Sequence, residues 1–416
     1  EHEGLSFLTI TLPTFGKDLE RSLALGSVDS TFFRSFRKNG AIPAFLQGMT
    51  SQLFDQSTGR LFDEFEGLDH RGSELIGAIR QIAYSFKKLE LECEPERVRQ
   101  SIENFVLTEY DLDEAIAPDL VNEFVNVSHA LFRDCLQGIQ VNDLVPRHGP
   151  GATAERISGN QKYNWQFWHE RLEPYFPLLD NAYTISSYGS KEFENVTFVN
   201  ADQESPVRVT PVPKTLKGPR IIAIEPCCMQ YAQQAIRRAL YSSLEGARFT
   251  KDHVNFTDQS INRQLAMKSS SDESLATLDL TDASDRVIHE LAIRMFDCNP
   301  DLKGAIEACR STRAQLPDGR IIGPLKKFAS MGSALCFPVE SMYFYTICVG
   351  ALLKEQNLPV TSRNVFRCSR QVYVYGDDII VPVTYAVAVA DHLHKYHCKV
   401  NMSKSFWTGK FRESCG

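Results

Sequence analysis

The stretch Val372-Tyr373-Val374-Tyr375-Gly376-Asp377-Asp378-Ile379-Ile380-Val381 restricts the possible folds more than any other part of the chain. β-Branched and aromatic residues flank a Gly-Asp-Asp core on both sides. The pattern predicts two short strands joined by a tight turn whose glycine supplies a positive φ. Both carboxylates are then displayed at a hairpin tip. Adjacent aspartates repel each other and lose hydration beside apolar strands, a cost that a divalent cation offsets. Mg²⁺ suits such a pair, because it is hard, octahedral and usually bound by one or two carboxylates plus substrate phosphates. A hairpin with a solvated acidic turn is the plainer alternative, and the pair alone does not decide between them.

A second acidic stretch is Leu275-Ala276-Thr277-Leu278-Asp279-Leu280-Thr281-Asp282-Ala283-Ser284-Asp285. A short apolar strand ends at Asp279, which places that carboxylate at a sheet edge, where metal sites often form. Ile288, Leu291, Ala292, Met295 and Phe296 then fall on one helical face, with Ser284 or Asp285 as the helix cap.

Composition sets the remaining bounds. With 416 residues, 43% hydrophobic and 23% charged, the chain has the make-up of an ordinary globular protein with room for two or three domains. The longest nearly uncharged run, 342–353, is too short for a bilayer, and no signal peptide is expected, which points to a cytoplasm. Eleven scattered cysteines without a C-x-x-C pair imply neither a zinc site nor a disulfide framework.

The net charge of −7 argues against an indiscriminate nucleic-acid binder, but the charge is unevenly spread. Glu90, Glu92, Glu94, Glu96, Asp111, Asp113 and Glu114 make the amino third acidic. Between 208 and 238, Arg208, Lys214, Lys217, Arg220, Arg237 and Arg238 face Glu225 alone. Such a local basic strip fits a polyanion handled in a confined channel.

Residues up to about 146 read as mainly helical, with Val121, Phe124, Val125, Phe132, Cys135 and Leu136 on one face and a stop at Gly138. The glycine-punctuated loop 147–153 is either a connector or a phosphate contact, and His148 alone is no ligand. Trp165, Phe167, Trp168, Tyr175, Phe176, Tyr183, Tyr188, Phe193 and Phe198 are expected to serve a core before a stacking platform. A proline- and glycine-rich arm at 211–220 leads into a buried strand, Ile221-Ile222-Ala223-Ile224. An amphipathic helix follows, with Arg237 and Arg238 on its polar side. Ser330-Met331-Gly332-Ser333 opens a long helix, so that backbone can approach sugar or phosphate closely. A further helix is expected over 385–397.

The ordered set of basic arm, strand-end aspartate, Ser/Gly loop, paired-aspartate hairpin and later lysine resembles motifs F, A, B, C and D of the right-hand polynucleotide polymerases. HGPGAT at 148–153, PVPK at 211–214, IAIEP at 222–226, DLTDASD at 279–285, FASMG at 328–332, YGDDII at 375–380 and FRESCG at 411–416 together resemble the replicase catalytic subunit of levivirus-type, positive-strand RNA bacteriophages.

The resemblance implies an α+β right-hand polymerase: helix-rich fingers and a palm built on a small antiparallel sheet backed by helices. Residues 1–147 would serve fingers or partner docking, 148–270 fingers with the basic arm, 271–299 palm, 300–327 a fingers insertion and 328–416 palm again. Because the family continues past FRESCG, the thumb is expected to be largely absent. The implied activity is RNA-templated RNA synthesis, with Asp279 and Asp377 bridging two Mg²⁺ ions (Mn²⁺ as substitute) and Asp378 supporting them. Lys214, Lys217 and Arg220 would neutralise phosphates. Ser330 and Gly332 would meet ribose or backbone, Asp285 would sense the sugar although it sits one residue beyond the usual place, and Lys404 would protonate pyrophosphate unless it is a plain surface lysine.

Where other viral polymerases carry Thr and Asn after the Gly loop, this chain has Cys336 and Glu340. RNA, nucleoside triphosphates, host elongation factors Tu and Ts and a small-subunit ribosomal protein are the implied partners, in the cytoplasm of an infected bacterium and away from membranes. A reverse transcriptase and a non-catalytic RNA-binding scaffold stand as alternatives.

Overall fold

The computed structural model describes residues 4–62, 70–183 and 194–415, so Tyr188 and Phe193 lie outside the described residues. The chain divides into two compact units, one made of Glu1–Ile102 with Pro211–Arg220 and the other of Glu103–Thr210 with Ile221–Gly416.

In the first unit, α1 (Leu12–Leu25) stops at Gly26, whose φ of 68° turns its N–H back onto the Leu23 and Ser22 carbonyls. A two-stranded ribbon, β1 (Lys38–Asn39) and β2 (Ile42–Pro43), follows. After it, α2 (His70–Tyr84) packs against α1. Phe15, Leu19, Phe33, Ile42, Leu53, Phe54 and Ile79 form the core.

Helix α3 (Pro95–Asp111) precedes α4 (Pro118–Gln137), the helix foreseen around Phe124. Proline at the first position of α4 sacrifices no hydrogen bond, and Gly138 ends it. Strands β3 (Phe167–His169) and β4 (Thr197–Val199) pair in parallel. Trp165, Trp168 and Phe176 are core residues as expected, whereas Phe167 and Phe198 are exposed.

The 211–220 arm is not a loose proline-rich segment. It forms the end of β5 (Val207–Thr215) and the start of β6 (Gly218–Ile224), neighbours in a sheet of order β10-β9-β5-β6. Within the first unit this tip is held by Cys93 Sγ on Thr215 O (2.9 Å) and by Arg97 on Leu216 O. The strand expected to be buried is mostly half-exposed: in β6 only Ala223 is buried.

The rest of the second unit surrounds one large apolar cluster. Its helices begin with α5 (Cys227–Gly246) and α6 (Ser260–Asp272). Strands β7 (Leu275–Leu278) and β8 (Leu280–Thr281) flank Asp279. The amphipathic helix expected over 288–296 is instead a one-turn helix, His289–Ala292, and a 3₁₀ turn, Ile293–Phe296. Asn299 and Pro300 cap and open the next helix, α7 (Pro300–Cys309), so the chain must leave helical geometry before them.

Strands β9 (Ala314–Gln315) and β10 (Ile321–Ile322) complete the four-stranded sheet. Helix α8 (Cys336–Glu355) is apolar on all sides and packs against α4, α9 (Ser362–Ser369) and α10 (Ala386–Lys395). It runs well past the 342–353 stretch. By length and composition it could cross a membrane, but 94% of its apolar window is buried in the protein, as in a core helix. The hairpin of β11 (Tyr373–Tyr375) and β12 (Asp378–Pro382) joins β7 in a sheet of order β11-β12-β7, and β13 (Lys399–Val400) pairs with β8. All eleven cysteines are free.

Candidate active site

The predicted turn is present. Tyr375 pairs with Asp378 across Gly376 and Asp377, and only Gly376 (φ 64°) is left-handed, the pattern of a type II′ turn. A Cβ on Gly376 would lie 2.3 Å from Phe337 Cε2, and the Gly376 N–H donates to Ser341 Oγ at 3.1 Å. The first turns of α8 therefore seat the hairpin tip.

Strand β12 pairs antiparallel with β7, Leu278 opposite Ile379. Carried one residue further, that register sets Asp279 opposite Asp378, with Asp377 beside them in the turn. Asp279 sits where the chain passes from one sheet to another, β7 bonding to β12 and β8 to β13. Its N–H donates to Ser405 Oγ (3.1 Å), its carbonyl accepts from Asn401 N (2.8 Å), and Asn401 Nδ2 donates to its Oδ2 (3.0 Å). Lys404 Nζ lies 3.4 Å from the same carboxylate.

Burial pushes the Asp279 carboxyl above its usual range and Asp377 adds repulsion, against the pull of Lys404 and Asn401. Burial also raises Asp378, to about 6, with repulsion from Asp377 and Asp279 opposed by hydrogen bonds from Cys415. Sequence reasoning does not single out Asn401, Ser405 or Cys415. They lie in the NMSKS and FRESCG stretches, whose local pattern carries no sign of which distant neighbour each side chain reaches.

The three aspartates offer hard oxygen donors and are short of positive charge, which fits a divalent cation in kind. Among the described residues, no group of three His, Cys, Asp or Glu side chains is already drawn to metal-holding distance. Asp279 instead spends its oxygens on Lys404 and Asn401.

Asp285 lies in a second, adjoining cluster. It caps no helix: its Oδ1 accepts from Ser330 Oγ (2.6 Å) and from Lys327 Nζ (3.0 Å). Lys327 is fully buried, 3.2 Å from Glu109 and 3.5 Å from the Phe105 ring centroid. The return of 326–330 onto Asp285 displaces the capping role that local sequence favours. Gly332 has φ 128°, and a Cβ there would lie 2.1 Å from the Ala223 carbonyl oxygen, so this loop permits a backbone-on-backbone approach. Glu340 is buried beneath the hairpin, its carboxyl driven well up by burial and by Asp377.

Lys214, Lys217 and Arg220 are exposed on the β5–β6 tip, which is part of the first unit. The 147–153 loop is braced from within. Lys162 donates to the Gly149 (2.8 Å) and Gly151 carbonyls, and His148 sits among Tyr163, Trp165 and Tyr231, lowered to about 4 by burial and by the Lys162 charge.

The second unit is thus mixed helix and sheet around a centre rich in carboxylates. The family described as RNA replicase, beta-chain, matches residues 186–416, and this chain belongs to that family. It is 33% identical over 205 residues to the RNA-directed RNA polymerase beta chain of Enterobacteria phage fr, covering 49% of this chain and 34% of that one. To the RNA-directed RNA polymerase subunit beta of Qbeta virus (strain MX1) it is 35% identical over 205 residues, covering 49% and 32%. The matched stretch thus spans about a third of the length of these curated relatives. A solved RNA-dependent RNA polymerase of a human picorbirnavirus overlaps 48% of this chain and 40% of its own at 11% identity, with a TM-score of 0.35, too partial an overlap to bear on the fold.

Proposed function

We propose that this chain carries the catalytic centre of an RNA-directed RNA polymerase that copies a positive-strand RNA phage genome inside a bacterial host. The observation that carries the reading is the register placing Asp279 across from Asp378, with Asp377 in the adjoining turn and Lys404 against Asp279. Asp279 and Asp377, supported by Asp378, would hold two Mg²⁺ ions, which when bound supply the charge that activates an RNA 3′-hydroxyl and balances the leaving pyrophosphate. Lys404 lies near enough to this centre to deliver a proton to pyrophosphate. Ser330 and Asp285, hydrogen-bonded to each other, present a polar edge suited to a ribose hydroxyl, and Gly332 lets backbone come close. Lys214, Lys217 and Arg220 would neutralise triphosphate charge.

In this reading 271–299 and 328–416 supply the palm, 148–270 and 300–327 the fingers, and 1–147 further fingers or docking surface. Host elongation factors Tu and Ts and a small-subunit ribosomal protein are the partners to look for by copurification from a bacterial host.

The decisive assay is extension of an RNA strand on an RNA template with Mg²⁺. Asp377→Asn should lower nucleotide incorporation by about a hundredfold or more while leaving the thermal melt in place. Near wild-type incorporation would remove the assignment. Comparing ribonucleotides with deoxyribonucleotides separates this reading from a reverse transcriptase, and release of pyrophosphate separates it from a non-catalytic scaffold.

A further inference from the structure

Helix α5 carries Arg237 and Arg238 on its solvent side, and Arg147 lies in the loop beside them. The Arg238 guanidinium feels Arg147 and Arg237 as like charges, and none of the three has a carboxylate partner among the described residues. Arg238 donates to the Val145 carbonyl, but the Nε atoms of both Arg237 and Arg238 are buried without a hydrogen-bond partner. The nearest acid further along the helix, Glu245, is already taken by the Phe256 and Thr257 N–H groups (2.8 and 3.1 Å) and the Thr257 hydroxyl. Like charges left unneutralised on one face are costly, and the planar fork of arginine matches phosphate oxygens.

The strip also leads somewhere. Arg237 sits over the Tyr241 ring at 5.1 Å, and Tyr241 stacks on Phe256 at 4.3 Å and 10°. Phe256 accepts from the Tyr375 hydroxyl through its carbonyl (3.2 Å), and Phe337 bridges the two rings at 6.0 and 5.1 Å. Arg237 is therefore linked, through packed rings, to the turn that carries Asp377.

We propose that Arg147, Arg237 and Arg238 form a track for the phosphodiester backbone of single-stranded RNA, leading along α5 past Tyr241 to the Gly376–Asp377 turn. The proposal rests on the polymerase reading above and names the surface by which this chain would hold its nucleic acid. Charge complementarity selects the occupant. Arginines bind phosphate irrespective of base, so such a surface holds a strand without sequence preference.

The test is fluorescence anisotropy with a labelled single-stranded RNA oligonucleotide, titrated at several KCl concentrations against wild type and the double variant Arg147→Gln with Arg237→Gln. The double variant should bind about tenfold more weakly, with a salt slope shallower by about 0.7 for each phosphate no longer neutralised. If the double variant melts early, the single variant Arg147→Glu on an exposed loop position carries the test, and it too should weaken binding. Unchanged affinity and slope in the variants overturn the track, including the case in which the strip meets an acidic protein instead. If wild type binds RNA through the strip but extends nothing, the polymerase reading falls while the track stands. If wild type extends RNA while the variants bind normally, the reverse holds.

Discussion

Asp378 is the side chain whose environment makes the plainest prediction. Its folded pKa of about 6 lies above the ordinary value of 3.8, so the native state holds more protons than the unfolded chain between those limits. Stability therefore falls as pH rises from about 4 to about 6. Asp378→Asn should raise the melting stability of the cation-free protein at pH 7 by on the order of 2 kcal/mol, and the gain should vanish below about pH 4. Thermal melts at the two pH values check this. Lys327 makes the opposite case, a buried cation fully committed to Asp285 and Glu109. Lys327→Met should cost roughly 3–5 kcal/mol in denaturant titrations, because it strands two partly buried carboxylates. The three acidic site residues are legible in the sequence because strand alternation and turn chemistry are local. Asn401, Cys415 and the true partner of Asp285 are not, since each joins positions far apart in sequence and no local pattern encodes the pairing.

The elements that build the site are the β11–β12 hairpin and α8 beneath it. Sequence alone draws the hairpin and its glycine correctly, because Gly376 answers to a backbone requirement of the turn itself. The same sequence does not show that Phe337 closes over that glycine and that Ser341 holds its N–H. Gly376→Ala meets both a left-handed φ and the Phe337 ring, so it should reduce RNA extension by more than tenfold and lower the melting temperature by several degrees, consistent with a penalty of ~1–3 kcal/mol. Wild-type behaviour in both assays would mean that the turn can relax freely. The basic arm shows where local reading fails in the other direction. Prolines 211 and 213 argue against a strand, yet the segment is β5, with its far residues exposed and its near end paired to β9. Proline is tolerated where no ladder hydrogen bond is demanded of its nitrogen.

Across the whole molecule, two separate apolar clusters match the two compact units. Phe15 is fully buried in the smaller cluster, against Phe33, Phe36 and Phe45 at 4.9, 5.0 and 5.4 Å. Phe15→Ala should destabilise that unit by about 3–5 kcal/mol, and hydrogen exchange should show the reduced protection concentrated in residues 4–102, while the amides of α8 and β12 stay protected. A uniform drop in protection would mean that the clusters unfold together. Mixed helix and sheet is legible from periodicity, but the division into units is not, because the smaller one borrows Pro211–Arg220 from far along the chain. That borrowing has a consequence for biosynthesis. A ribosome makes residues 1–102 well before the ten that join them in one unit, so the Cys93 and Arg97 side chains meet their Thr215 and Leu216 carbonyls only after the intervening segment has emerged.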